Sequence, residues 1–122
     1  MIEFTKDNTT IEDCEIWDDC TGMDCYLSTW FDTFEKFGIK VDNRDHMSID
    51  CYLVCFFDGY DLDLKVDYVI KNLYNGFETY ETYEPNENEK SVLREMLEDF
   101  IQHECGKSIK QCLQEEKKHD KT

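Results

Sequence analysis

Basic residues are scarce in this chain: 13 Lys or Arg stand against 29 Asp or Glu, a formal net charge of −16 over 122 residues. That scarcity disfavours direct binding to nucleic acid, where affinity comes from cations that neutralise phosphates. It equally disfavours anionic lipid surfaces. No apolar run approaches the roughly 20 residues needed to span a bilayer, and residues 1–10 have neither the basic start nor the hydrophobic stretch of a secretory signal. The expectation is a cytoplasmic protein. Glycine is also sparse, with 5 residues and no Gly-rich phosphate loop. His46, His103 and His119 fall in an expected turn, helix and tail, with no convergent Ser, Cys or acid to form a nucleophile and base pair. We therefore expect no enzymatic activity, no cofactor and no metal.

What is present is enough to fold. The chain is 40% hydrophobic with aromatic residues throughout, too much apolar material for a disordered acidic tail. Its length favours one domain, residues 1–122, burying roughly two-thirds of the surface of the unfolded chain. Within it, residues 1–26 form an acidic segment of uncertain structure, an edge strand or an extended loop, and 117–122 read as a solvated tail. The charge is unevenly spread: residues 1–90 hold 22 acidic against 7 basic residues, and 91–122 hold 7 against 6, giving −15 and −1. One part of the folded surface must be strongly anionic, and such self-repulsion destabilises a compact domain.

Seven cysteines, an odd number with no export signal, argue for reduced thiols over a secreted disulfide framework. Cys51 and Cys55 share one face of an expected strand and Cys105 and Cys112 one face of an expected helix, as small core residues do. Cys14, Cys20 and Cys25, with His46 or His103, are candidate zinc ligands, but their spacing lacks the usual close-set pair. The run Asp58-Gly59-Tyr60-Asp61-Leu62-Asp63 lacks the ligand spacing of a helix-loop-helix calcium site.

Two turn signals give the architecture. Residues 47–57 and 60–74 read as strands about an Asp58-Gly59 turn, and 77–84 as a third strand after Asn75-Gly76. With Phe57 facing Tyr60, the register sets Cys55 opposite Leu62, Leu53 opposite Leu64, Cys51 opposite Val66 and Ile49 opposite Tyr68, an entirely apolar face. On the other face Asp50 then opposes Asp67 directly, an unfavourable pairing unless a cation intervenes. Glu84 falls beside Asp67, and Glu78 further along. The expected binding face is Asp50, Asp61, Asp63, Asp67, Glu78 and Glu84, interleaved with Tyr52 and Tyr80, and the acidic segment from Glu12 to Asp24 is the next candidate location. A competing pattern places Val66, Val69, Ile70 and Leu73 on a helix ending at Asn75-Gly76.

Helices are expected on either side. Ser28 can cap a short one running to Phe37, with Gly38 as its stop and Trp30, Phe31, Phe34 and Phe37 as its buried stripe. After Pro85-Asn86, the spacing of Leu93, Met96, Leu97, Phe100, Ile101, Cys105, Ile109, Cys112 and Leu113 fits a helix of up to seven or eight turns, which Gly106 could split. Its apolar stripe could pack on the sheet or pair with a second copy. The expected fold class is thus α+β: an antiparallel β-meander of three or more strands packed with a short aromatic helix and a long C-terminal helix.

Binding through negative charge is the function class this supports. Carboxylates at alternate strand positions lie about 6.7 Å apart, comparable to neighbouring phosphates on one nucleic-acid strand. In composition and size the chain resembles the small acidic phage proteins that block CRISPR nucleases or restriction enzymes, which implies an inhibitor occupying the basic groove of such an enzyme. The alternatives are an immunity protein neutralising a cognate basic toxin, anchored by aromatics such as Tyr52, Tyr60, Tyr80 or Trp17, and an acidic domain whose charge merely preserves solubility.

Overall fold

The computed structural model describes residues 2–17, 21–58, 61–106 and 111. Five strands, β1 (Thr9–Ile16), β2 (Gly22–Thr29), β3 (Met47–Asp58), β4 (Asp61–Asn72) and β5 (Glu78–Tyr83), form one antiparallel sheet in sequence order. Among the described residues, helices α1 (Thr33–Lys36) and α2 (Glu87–Cys105) and a 3₁₀ turn at Arg44–His46 join the sheet in an α+β meander. One face of the sheet is buried. Met23, Cys25 and Leu27 of β2, Cys51, Leu53 and Cys55 of β3, and Leu64 and Val66 of β4 pack with Phe4 and with Leu93, Leu97 and Ile101 of α2. The helical stripe therefore lies on its own sheet, and the period-2 alternation of each strand delivers the other side chains to the opposite face.

Of the two alternatives for the acidic N-terminal segment the strand holds: β1 is an edge strand, and β2 lies beside it. The segment's alternation is broken because the β1–β2 register shifts between Ile11 and Asp13, so one extra residue of β1 moves its inward set from odd to even positions. Downstream of the shift Cys14 faces Cys25, and the two form a disulfide. This corrects the expectation of reduced thiols at those positions. Cys51 and Cys55 are free and buried, and Cys20, Cys112 and the side chain of Cys105 lie outside the described residues.

The β3–β4 hairpin exists, but its register differs from expectation by two residues. Asp58 pairs with Asp61, so Cys55 faces Leu64, Leu53 faces Val66, Cys51 faces Tyr68 and Ile49 faces Ile70. A slip of two keeps every side chain on its face, so the apolar pattern is equally satisfied in both registers. The connecting residues 59–60, and with them Tyr60, lie outside the described residues. Residues 66–72 continue β4, not the competing helix. The β4–β5 connection is also longer than expected: the Asn72 amide donates to the Phe77 carbonyl at 2.9 Å, enclosing 73–76 as a four-residue turn with Gly76 at φ +72°.

Helix α1 is shorter than the pattern suggested. Ser28 continues β2 opposite Thr10, and Asp32 caps the helix, accepting from the Phe34 and Glu35 amides at 3.0 and 3.3 Å. Trp30 is exposed, not buried. Phe31 and Phe37 do pack on the core, Phe37 stacking on Tyr68 with ring centroids 4.0 Å apart, while Phe34 lies beneath the Arg44 guanidinium at 4.5 Å. Gly38, at φ +66°, ends the helix as expected. Helix α2 runs 19 residues to Gly106, a left-handed C-cap at φ +67°. The helix thus ends at Gly106, where the sequence allowed a split, and Ile109 and Leu113 lie outside the described residues.

Helix α2 starts with a capping box. The Glu89 amide donates to Asn86 Oδ1 at 2.8 Å, and the Asn86 amide to Glu89 Oε1 at 3.2 Å. Glu89 is 0% exposed, and Lys36 reaches it with a side chain only 4% exposed. Lys36 Nζ donates to Glu89 Oε2 (2.8 Å), Tyr83 OH (2.8 Å) and the Ile2 carbonyl (2.7 Å), which uses all three of its protons. Glu89 also accepts from Tyr83 OH at 2.6 Å and from the Phe4 amide at 2.9 Å. Burial disfavours both charges. These bonds outweigh it, holding the Glu89 carboxyl below the usual carboxylate range and the Lys36 ammonium above its usual range.

Candidate functional site: the outer face of the sheet

The face opposite the core carries most of the charge that the strands contribute. Alternation and register place Asp13 and Glu15 of β1, Asp24 of β2, Asp50 of β3, Asp67 of β4 and Glu78 of β5 on it, with Lys65 and Lys71 of β4 as the cations among the described strand residues. Aromatic side chains run through its centre. Tyr26 and Tyr52 meet edge to face at 5.6 Å across β2 and β3, and Tyr80 of β5 stands opposite Val69.

Asp50 and Asp67 do not oppose each other. Asp50 faces Val69, and Asp67 lies between Tyr52 and Thr82, so the two carboxylates are diagonal neighbours, at a typical separation of about 7–8 Å. The register that removes this repulsion also gives each acid a hydroxyl: Tyr26 donates to Asp50 at 3.2 Å, and Thr82 to Asp67 at 2.8 Å. Tyr80 donates to Glu78 at 2.6 Å. The Asp50 and Asp67 oxygens are thus oriented without being neutralised.

Between them lies a depression of about 330 Å³, lined by Tyr52, Val54, Val69 and Tyr80 together with Asp24, Asp50, Asp67, Lys71 and Glu78. Lys71 is 3.9 Å from Glu78, whereas Asp24, Asp50 and Asp67 make no ion pair among the described residues. The local field is felt by the tyrosines. Burial first, then Asp50, Asp24 and Glu78, push the Tyr52 hydroxyl above its usual range, and Tyr80 is raised by its bond to Glu78. Both therefore remain neutral donors at physiological pH. The arrangement can hold a cation or a cationic side chain against an aromatic surface, and it holds no nucleophile paired with a base.

Of the eight site residues expected from sequence, Asp50, Tyr52, Asp67, Glu78 and Tyr80 converge here. Three do not. Asp63, opposite Phe56, instead lines a second depression with Glu87, Lys90, Ser91 and Arg94 of α2. Glu84 lies beyond the end of β5 and pairs with Lys90 at 2.7 Å, which holds its carboxyl below the usual range; it is not beside Asp67, where Thr82 stands. Asp61 keeps its backbone place opposite Asp58, and its side chain lies outside the described residues. Asp24 was missed as a site residue because its strand was unreadable, although the acidity of its segment was a signal. Among the described residues no group of His, Cys, Asp or Glu is arranged to hold a metal, and no helix is long and apolar enough to cross a membrane. Comparison with protein-family models, with curated proteins and with solved structures finds no match.

Proposed function

We propose that this chain is an inhibitor that binds the basic nucleic-acid groove of a nuclease or other nucleic-acid-processing enzyme in the cytoplasm through the outer face of its sheet. The observation that carries this reading is the convergence of Asp24, Asp50 and Asp67, none of them ion-paired among the described residues, around a depression lined by Tyr52 and Tyr80. A groove built to neutralise phosphates presents Lys and Arg at high density, and fixed carboxylates can meet those side chains and exclude the nucleic acid. The acidic rows are interrupted by Tyr52, Lys65 and Tyr80. That interruption favours an aromatic centre within an acidic rim over close imitation of a phosphate row. The same aromatic centre supports a second reading, an immunity protein for a basic toxic nuclease, which would use the same face.

The test offers the purified chain to CRISPR effector, restriction and toxin nucleases, with cleavage as the readout. Inhibition should be competitive with nucleic acid, and Asp50→Lys/Asp67→Lys should abolish it while leaving the circular dichroism spectrum intact. Undiminished inhibition by that variant would remove the outer face as the site. Steep loss of potency between low and high salt favours groove occupation in CRISPR or restriction enzymes. Salt tolerance confined to one toxin nuclease favours the immunity reading.

A further inference from the structure

The strand order leaves β1 and β5 as the two edges of the sheet, and they are guarded differently. A free edge offers unpaired amides and carbonyls to any extended chain, and folded proteins blunt it with bulges, prolines or charge. β1 carries a register shift between Ile11 and Asp13 together with the acids Glu12, Asp13 and Glu15. β5 has no proline, no basic residue and an unbroken register, and every residue of it but Tyr83 is exposed. Its guards are the carboxylates of Glu78 and Glu81. They repel an acidic strand and admit a basic one.

The direction of the β5 backbone groups follows from the ladder. The Leu73 amide donates to the His46 carbonyl at 2.7 Å and the Asn72 amide to the Phe77 carbonyl at 2.9 Å, so along β4 the odd residues bond to β3 and the even ones to β5. The even residues Tyr68 and Ile70 pair with Glu81 and Thr79. The amides and carbonyls of Glu78, Tyr80 and Thr82 therefore point away from β4, and among the described residues no strand lies beyond them. The side chains of the same three residues stand on the outer face: Glu78 and Tyr80 line the acidic depression, and Thr82 donates to Asp67 at 2.8 Å. Outward hydrogen-bonding groups and negative charge thus coincide along one short edge.

We propose that β5 accepts an extended basic segment of the partner protein as an added antiparallel strand, with Lys or Arg at alternate positions of that segment. Residues directly opposite in neighbouring strands share a face. The segment's residues opposite Glu78, Tyr80 and Thr82 therefore bond to β5 through their backbones and lay their side chains over the outer face, against the Glu78 carboxylate, the Tyr80 ring and, across Thr82, Asp67. This rests on reading the outer face as a surface for a basic protein, and adds the conformation and residue spacing of the segment that binds there. A net charge of −16 opposes pairing of β5 with a second copy of the chain.

The experiment titrates the full chain, at low ionic strength, with a short peptide alternating lysine and threonine and with two N-methylated forms of the same charge. In the antiparallel pairing the lysine amides point at β5 and the threonine amides point away. N-methylation of the lysines should weaken binding about a hundredfold, the loss of two or three backbone hydrogen bonds, and N-methylation of the threonines should leave it unchanged. On the protein side, Tyr80→Pro should weaken the unmethylated peptide roughly tenfold more than Tyr80→Ala does, because both remove the ring and only proline removes the outward amide, which the β4 ladder does not use. Equal affinities for the three peptides, or a loss on threonine methylation instead, would overturn the proposal. If binding of all three is then still weakened by Asp50→Lys/Asp67→Lys, the acidic-face reading stands without strand addition; binding of none of them sinks both. Dimers in sedimentation that Tyr80→Pro dissociates would assign the edge to a second copy and likewise overturn it.

Discussion

Replacing Lys36 by methionine is expected to destabilise the domain by about 3–5 kcal/mol at pH 7, the usual cost of stranding one partner of a buried ion pair. The structure supports the upper part of that range. Glu89 is 0% exposed, so its carboxylate would keep the Tyr83, Phe4 and Asn86 donors but lose its only counter-ion among the described residues, with no route to water. A domain of this length has a total stability of about 6–18 kcal/mol, so the loss is a large share of the whole. In urea, with a slope of about 2 kcal/mol per molar, the midpoint should fall by roughly 1.5–2.5 M. The distinguishing sign is pH. In the wild type the Glu89 carboxyl is depressed, so its contribution is complete above the usual carboxylate range and is lost as pH falls through the depressed value. In Lys36→Met burial acts without the cation and raises that carboxyl, so the folded variant takes up a proton as pH falls from neutrality. Its deficit relative to wild type must then shrink toward acid pH. Glu89→Gln strands the ammonium instead. The wild-type Lys36 is raised and contributes fully below the usual ammonium range; stranded, it sheds its proton as pH rises, so this deficit must shrink toward alkaline pH. Penalties under about 1 kcal/mol for both variants, or penalties that do not move in opposite directions with pH, would refute the account of Lys36 and Glu89 as a buried charge pair that fixes α1, α2 and the N-terminal segment together.

Other substitutions test other parts of the fold. Cys14→Ser/Cys25→Ser, or full reduction, should cost about 3 kcal/mol through the loss of a short cross-strand loop, read as a lower melting temperature; identical melts with and without reductant would show that the pair is not oxidised in solution. The Cys51 and Cys55 thiols, pushed by burial up to about 12, should resist alkylation at pH 8 in the folded protein and react once it is unfolded, as mapped by peptide mass spectrometry. Gly22→Ala should cost roughly 1–3 kcal/mol by overpacking, because an added Cβ would lie 2.5 Å from the Cys55 carbonyl oxygen and 2.6 Å from the Trp17 ring.

The central hairpin and the C-terminal helix were legible because independent signals agreed on them. Turn residues and alternation both marked β3, β4 and β5, and the Pro85-Asn86 break with the stripe of Leu93, Leu97 and Ile101 marked α2. Where one signal stood alone it misled. Ser28 is a fair cap residue and Trp30 to Phe37 are rich in aromatics, but Ser28 pairs with Thr10 and β2 extends to Thr29, so the helix begins only after Asp32. The register shift in β1 hid two strands, since a single extra residue converts a period of two into an apparent irregularity. The Lys36–Glu89 pair joins residues distant in sequence, and nothing local to Lys36 announces it.

The candidate site was legible as a face and illegible as a set of neighbours, and the reason is the same for both. Alternation assigns each residue of a strand to one side of the sheet, so Asp50, Tyr52, Asp67, Glu78 and Tyr80 were correctly gathered from sequence. A slip of two residues leaves that assignment untouched. It does change which side chains face each other, and here the choice has an energetic sense: the register in which Asp50 opposes Asp67 confronts like charges, whereas the observed one sets Asp50 against Val69 and Asp67 against Tyr52. At this pair the ladder places apolar and aromatic groups between the acids, whereas Glu15 and Asp24 still face each other across β1 and β2. A face ordered in this way keeps its negative potential while lowering the repulsion that would unfold it, and it acquires an apolar centre that a plain row of carboxylates lacks. Binding by such a surface must then depend on both kinds of group, so removing Tyr52 and Tyr80 should weaken a complex that charge reversal at Asp50 and Asp67 abolishes.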